Sequence, residues 1–248
     1  MKIAVLGAAG WVGRAVLSNL EGKHEIRAFD YGPKAWDHAS KVDGEWSDGE
    51  VVHGDISDFS TVEKVLDGID RVIHLAVYAG DYDDNDMLPF SINLKGLWNV
   101  LEIAARREIP RVVHVGSAPI QHPNGIFFGP DVRRSDASLY AITKRLQEEM
   151  CRQFYEGKGQ SIIVLRPCSI VDARLGMNKG GTPMKGYSEG WVCRHDLAQG
   201  CRLAMETDLV DFDIFHAVGT PEASDTCDVD RAKELLGWEY QADLTRFR

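Results

Sequence analysis

The chain has 248 residues, 44% hydrophobic and 27% charged, which suffices for one sizeable α/β core with little left for a second. A formal net charge of −10 excludes a broad nucleic-acid surface, because phosphate binding needs clustered Lys and Arg. No apolar run approaches membrane-spanning length, so MKIAVLG reads as a first strand and not a signal peptide. Five cysteines, Cys151, Cys168, Cys193, Cys201 and Cys227, lack CxxC spacing. They are read as structural residues of a protein in a reducing cytoplasm.

In chain order, β-rich apolar runs predict strands at Lys2 to Leu6, Glu25 to Asp30, Val51 to His53, Arg71 to Leu75, Arg111 to Val115 and Ser161 to Leu165. Between them, Trp11 to Leu20, Phe59 to Leu66, Ile92 to Arg106 and Leu139 to Tyr155 carry apolar residues at three and four spacing, as helices laid on a sheet do. This alternation predicts an α/β fold with a doubly wound parallel sheet. Residues 1–248 read as one unit with a small appended lobe, the pattern changing after Arg166. Ala173 to Gly190, rich in glycine and without period, predicts a long loop. A helix over His195 to Glu206, a strand over Phe212 to Ala217 and a short helix from Asp228 to Leu236, stopped by Gly237, complete the pattern.

Gly7, Gly10 and Gly13 fall where the first strand turns into a helix. Glycine there permits a tight turn, close approach of a pyrophosphate and close helix packing. The spacing GxxGxxG departs from GxGxxG, and a plain βα turn is the alternative. Asp30 closes the second strand about twenty residues on, where a carboxylate accepts from ribose hydroxyls and repels a 2′-phosphate, favouring NAD over NADP. A solvated turn aspartate is the alternative. In GDISD, Asp55 lies at the sheet edge within reach of an adenine, and Asp58 reads as a helix N-cap. His74 reads as a packed core histidine, followed by small residues that let a cofactor lie against backbone.

Tyr140 and Lys144 lie one helical turn apart, on one face. An ammonium there stabilises a phenolate, which equips Tyr140 to take or return a proton. Ser117, just after the fifth strand, can orient the same substrate oxygen.

GAAGWVG, Asp30, GDISD, HLA, SINLKG, VHVGS, YAITK, LRP and LLGWEY together resemble the extended short-chain dehydrogenase/reductase family, the NAD-dependent epimerases and dehydratases. The resemblance covers nearly the whole chain and implies a Rossmann-like doubly wound parallel sheet, with 1–165 mainly an NAD-binding portion and 166–248 mainly a small C-terminal substrate-binding lobe that also completes the sheet. It implies catalysis by Ser117, Tyr140 and Lys144 with a proton relay through Asn93. It implies NAD held by Gly7, Gly10, Trp11, Val12 and Gly13, with Asp30, Asp55 and Ile56 at the adenosine end. Leu75, Ala76, Val77, Asn93, Val115, Tyr140, Lys144 and Pro167 would complete the nicotinamide end. A homodimer through the helices bearing Asn93 and Tyr140 is a further implication.

GPDVRRSDASLYAITK also looks like uronate dehydrogenases, which oxidise C1 of a sugar acid. That likeness implies substrate contacts at Ser117, Ala118, Tyr140 and Ser169, with Arg174 pairing a carboxylate. Ala79 and Ala118 replace a Ser and an Asn of that subfamily, and the glycine-rich insertion after Leu175 is a further departure. The expected function is an NAD-dependent sugar dehydrogenase in which Tyr140 is the base and a small sugar the substrate. A sugar epimerase or dehydratase with internal hydride return, and a non-catalytic NAD(P)-sensing regulator, are the rivals. The acidic run Asp81 to Asp86 reads as a solvated loop, and no metal is expected.

Overall fold

Strand register organises the molecule. A computed structural model describes residues 1–82, 87–118 and 135–248, with His38 by its backbone alone. The elements are β1 (Lys2–Leu6), α1 (Trp11–Leu20), β2 (Glu25–Asp30), α2 (Pro33–Asp43), β3 (Glu50–His53), α3 (Phe59–Val65) and β4 (Arg71–His74). After the one-turn α4 (Met87–Pro89) and a π-helical turn over Phe90–Lys95 come α5 (Gly96–Arg106), β5 (Arg111–Val115), α6 (Leu139–Lys158) and β6 (Ile162–Pro167). Then follow β7 (Ser169–Asp172), β8 (Met177–Asn178), β9 (Trp191–Cys193), α7 (Arg194–Glu206), β10 (Phe212–Ala217), α8 (Ala223–Thr226) and α9 (Asp230–Leu236).

Seven strands form one parallel sheet in the order β10-β6-β5-β4-β1-β2-β3. Alternation along β1 shows how both faces are covered. Ile3 and Val5 join the apolar layer of α1, α7 and α9, while Ala4 and Leu6 join that of α3, α5 and α6. The strand order reverses between β1 and β4, so the carboxyl ends of those strands open the crevice where such sheets bind ligands.

Four elements differ from the sequence expectation. No helix is expected between Asp30 and Val51, yet α2 forms there, with Pro33 in its first turn where the missing N–H costs nothing. The helix expected from Ile92 begins earlier, and its π-helical turn buries Asn93. The expected loop 173–190 contains β8, which joins β7 and β9 in a three-stranded sheet. A strand of two residues is too short to display alternation. The expected helix from Asp228 starts at Asp230, after the separate turn α8.

Trp238 of LLGWEY fastens the chain's last stretch to the core. It is fully buried, and any Cβ on Gly200 would lie 2.3 Å from its ring, so α7 has a notch that only glycine provides. Its Nε1 donates to the Asp196 carbonyl at 3.0 Å, and the Asp196 carboxylate accepts from the Gln241 and Ala242 amides.

Candidate active site

The glycine-rich turn is closed against the sheet. Gly7 has φ +86°, and a Cβ there would lie 2.7 Å from the Ala76 nitrogen; one on Gly13 would lie 2.2 Å from the Gly7 carbonyl. These gaps leave the amides of Trp11, Val12 and Gly13 at the start of α1, where an anion is favoured. Asp30 Oδ2 accepts from the Ala9 amide at 2.9 Å and Oδ1 from Tyr31 at 2.8 Å. Burial pushes the Asp30 carboxyl up, against those two amides and His53. Each carboxylate oxygen keeps a lone pair for a ribose hydroxyl.

Asp58 caps α3 through the Thr61 amide, as expected, and Asp55 is exposed at the end of β3. Ile56 is buried, its carbonyl accepting from Asn99 Nδ2 at 2.9 Å. Leu75, Ala76 and Val77 continue past β4, the Leu75 amide donating to Leu6 at 2.8 Å. Val115 and Pro167 are buried at the ends of β5 and β6. Cradle, carboxylate and small strand-end residues all fit a dinucleotide.

Ser138 caps α6 by accepting from the Ala141 amide at 3.2 Å, which fixes the register of the helix that follows. Tyr140 is 37% exposed, whereas Lys144 and Ser117 are buried. Lys144 Nζ donates to the Val115 carbonyl at 3.0 Å, so the helix bearing Tyr140 is tied to the strand end bearing Ser117. Burial pushes the Lys144 ammonium down to about 8; Glu148 opposes this, and the like charge of Lys179 adds to it.

Glu148, four residues after Lys144, is gripped by Arg166 of LRP through Nε–Oε1 at 2.8 Å and Nη2–Oε2 at 2.5 Å, both residues buried. Sequence reasoning missed this pair, although the i, i+4 spacing from Lys144 was the available signal. His74 is buried as expected, but its Nδ1 lies 3.0 Å from that of His114 on β5. Burial pushes His74 down to about 3 and His114 well below its usual value; the Lys144 charge acts on both, and His74 also on His114.

Asn93 is buried and joined to this cluster by hydrogen bonds. Its Oδ1 accepts from the Tyr78 amide at 2.7 Å, and Nδ2 donates to Tyr82 Oη at 3.1 Å and Thr143 Oγ1 at 3.0 Å. Its main-chain carbonyl accepts from Gln147 Nε2 at 2.8 Å. With these groups engaged, Asn93 clamps the segment after β4. Tyr82, which sequence reasoning also missed, is thereby set edge-on to Tyr140, ring centroids 5.6 Å apart.

The implied substrate residues are spread out. Ala118 is fully buried and its amide donates to the Pro167 carbonyl at 2.9 Å. Ser169 is exposed on β7. Arg174 lies in the turn between β7 and β8, its Nη2 2.8 Å from His195 Nδ1. Burial first, then Arg174 and Arg194, push His195 down to about 4. Arg194 is 1% exposed and joins β7 to helices α1 and α2. It donates to Asp172 at 2.6 Å, to both Asp43 oxygens and to the Trp11 carbonyl, and it stacks 4.1 Å over the Trp11 ring.

Among the described residues, no His, Cys, Asp or Glu group is arranged to hold a metal, and no helix is long and apolar enough to cross a membrane. Residues 83–86 of the acidic run and 129–134 of GPDVRR lie outside the described residues.

Residues 3–207 match the NAD dependent epimerase/dehydratase family. The chain belongs to that family. Among its relatives, an NAD-dependent glucose-6-phosphate dehydrogenase of Haloferax volcanii is 22% identical over 99% of this chain and 95% of the relative. A uronate dehydrogenase of Agrobacterium fabrum is 28% identical over 66% of this chain and 60% of that one. The structure of UDP-glucuronic acid 4-epimerase from Bacillus cereus in complex with NAD superposes with a TM-score of 0.78 at 19% identity, covering 100% of this chain and 96% of that one. The Rossmann-like fold of this family member is thus shared with an epimerase, and its sequence with dehydrogenases.

Proposed function

We propose that this family member is an NAD-dependent sugar dehydrogenase acting at C1 of a uronate or another small aldose. The observation that carries this reading is the buried Lys144 ammonium, tied to the strand end of Ser117 one turn below an accessible Tyr140. NAD bound along the glycine-rich edge supplies the hydride acceptor. Gly7, Gly10, Trp11, Val12 and Gly13 would hold its phosphates, Asp30, Asp55 and Ile56 its adenosine, and the strand ends at Leu75 to Val77, Val115 and Pro167 its nicotinamide. Ser117 donates to the sugar oxygen and orients it. Tyr140 takes the hydroxyl proton as the C1–H bond breaks, and the Lys144 charge stabilises the phenolate before that transfer.

The two relatives named above act on sugars small enough for the stretch 167–248 to enclose, which supports oxidation over chemistry on a nucleoside diphosphate sugar. Exposed Met87, Phe90, Trp98 and Leu146 on the helices of Asn93 and Tyr140 support pairing of two copies there; a monomer in sedimentation velocity counts against it. Five free cysteines suit a reducing cytoplasm.

The test is reduced-nicotinamide absorbance after mixing protein with NAD and glucuronate, galacturonate or glucose 6-phosphate. A steady rise is expected. The likeness to a 4-epimerase supports a second reading, in which hydride returns to the sugar. No net NADH, with epimerised sugar in the mixture, would replace the first reading by the second.

A further inference from the structure

Tyr140 has to be accessible and fixed at once. It is 37% exposed in the first turn of α6, while Lys144 and Ser117, the groups it works with, are buried. On a helix its first side-chain torsion has two ordinary settings, so an accessible phenol can occupy more than one place unless something packs against the ring. Tyr82 supplies that contact: its ring stands at 90° to that of Tyr140, with centroids 5.6 Å apart. Such an edge-on pair is attractive as well as space-filling.

The Tyr82 hydroxyl is itself held on both sides. The side-chain amide of Asn93 forks, one N–H going to Tyr82 Oη at 3.1 Å and the other to Thr143 Oγ1 at 3.0 Å. Each hydroxyl then donates to a carbonyl, Tyr82 to that of Tyr78 at 3.1 Å and Thr143 to that of Tyr140 at 3.0 Å. The Tyr78 amide returns to Asn93 Oδ1 at 2.7 Å, so each side-chain donor in the circuit is used once. One buried amide thereby fixes both the main chain of Tyr140 and the ring beside it. Tyr78 in turn packs edge-on to Tyr82, centroids 5.2 Å apart at 79°, and a Cβ on Gly80 would collide with the Tyr78 ring, so glycine lets the segment between the two tyrosines close. Burial pushes the Tyr82 phenol up; the Asn93 donation opposes this, and Tyr140 and Tyr78 add to it. Tyr82 therefore stays a neutral ring beside Tyr140 and does not compete with it as a base.

We propose that Tyr82 is a positioning residue, whose ring holds the Tyr140 phenol in the one placement from which it reaches the substrate oxygen oriented by Ser117. This rests on the sugar-site reading above. Asn93 and Thr143 set that placement, and the segment after β4 takes part in the chemistry without touching the sugar. Tyr82 belongs to neither apolar layer of the sheet, so replacing it leaves the core intact.

The experiment pairs kinetics, with NAD and glucuronate, galacturonate or glucose 6-phosphate, with crystal structures of the NAD-loaded protein. Tyr82→Leu removes the ring and is expected to lower kcat by between about tenfold and about 10²-fold, with KM for sugar and for NAD unchanged, because a displacement of about 1 Å suffices for such a loss. Tyr82→Phe keeps the ring and should restore most of kcat. In the crystals Tyr140 should adopt one conformer in the wild type and in Tyr82→Phe, and more than one in Tyr82→Leu. An unmoved Tyr140 in Tyr82→Leu overturns the proposal. So does a rise in KM for sugar at constant kcat, which would make Tyr82 a contact of the sugar itself. Equal losses in Tyr82→Leu and Tyr82→Phe also overturn it, since the hydroxyl and not the ring would then matter. If the wild type forms no NADH with any of these sugars, the dehydrogenase reading fails, and the placement of Tyr140 in the crystals still decides for or against Tyr82.

Discussion

The edge that faces the dinucleotide and the lobe above it are held by different forces. At the edge, main chain meets main chain: Gly7 against Ala76, Gly13 against Gly7, Leu75 on Leu6 and Gly116 on Leu165. In the lobe, side-chain charge and aromatic faces do the joining, with Arg194 between Asp172, Asp43 and Trp11, Arg248 on Glu222, and Phe247 edge-on to Trp191. Backbone contacts of the first kind tolerate almost no change, whereas the second kind can be rebuilt around a different sugar.

Replacing Tyr140 by Phe is the hardest test of the first region. It should lower kcat by at least about 10³-fold with NAD affinity unchanged, because it removes the proton acceptor and leaves the cradle intact. Full turnover by that variant would break the assignment. In the lobe, Arg194→Met leaves the buried Asp172 carboxylate without its cation and should cost about 3 kcal/mol in denaturant unfolding. It should raise the KM for sugar more than that for NAD. An equal rise in both would erase the distinction between the regions.

The smallest expected effect is shared. His74, His114 and His195 all have folded-state affinities for protons below the unfolded value near 6.5. Below pH 6.5 the unfolded chain takes up protons that the folded chain refuses, so stability falls as pH drops from 6.5 toward 4. The melting temperature should fall by roughly 5 °C between pH 7 and pH 5. His195→Gln should recover only the lobe's part of that loss, and a flat profile would show that the pair on β4 and β5 is solvated.

What was legible in the sequence follows the same division. Strand runs such as Lys2 to Leu6 and helix faces such as Trp11 to Leu20 are set by local period, and glycine spacing reports a backbone approach directly. Tyr140 and Lys144 were legible because one helical turn relates them. The lobe was less so: β8 has two residues, and Arg194 acquires meaning only when Asp43 and Asp172 arrive from distant parts of the chain. Tyr82 was hidden for the same reason, its place depending on Asn93 in a π-helical turn that no simple periodicity announces. That Asn93 also clamps the segment after β4, through Tyr78 and Tyr82, was equally hidden, because those partners share no spacing with it.

The pair His74 and His114 carries one more consequence. Only one proton fits between two Nδ1 atoms 3.0 Å apart, so the neutral rings must hold opposite tautomers. One ring then bears its proton toward its neighbour and the other on Nε2, which gives the contact between β4 and β5 a direction. Exchanging the two states requires both rings to change together, which makes the pair a single two-position element instead of two independent side chains.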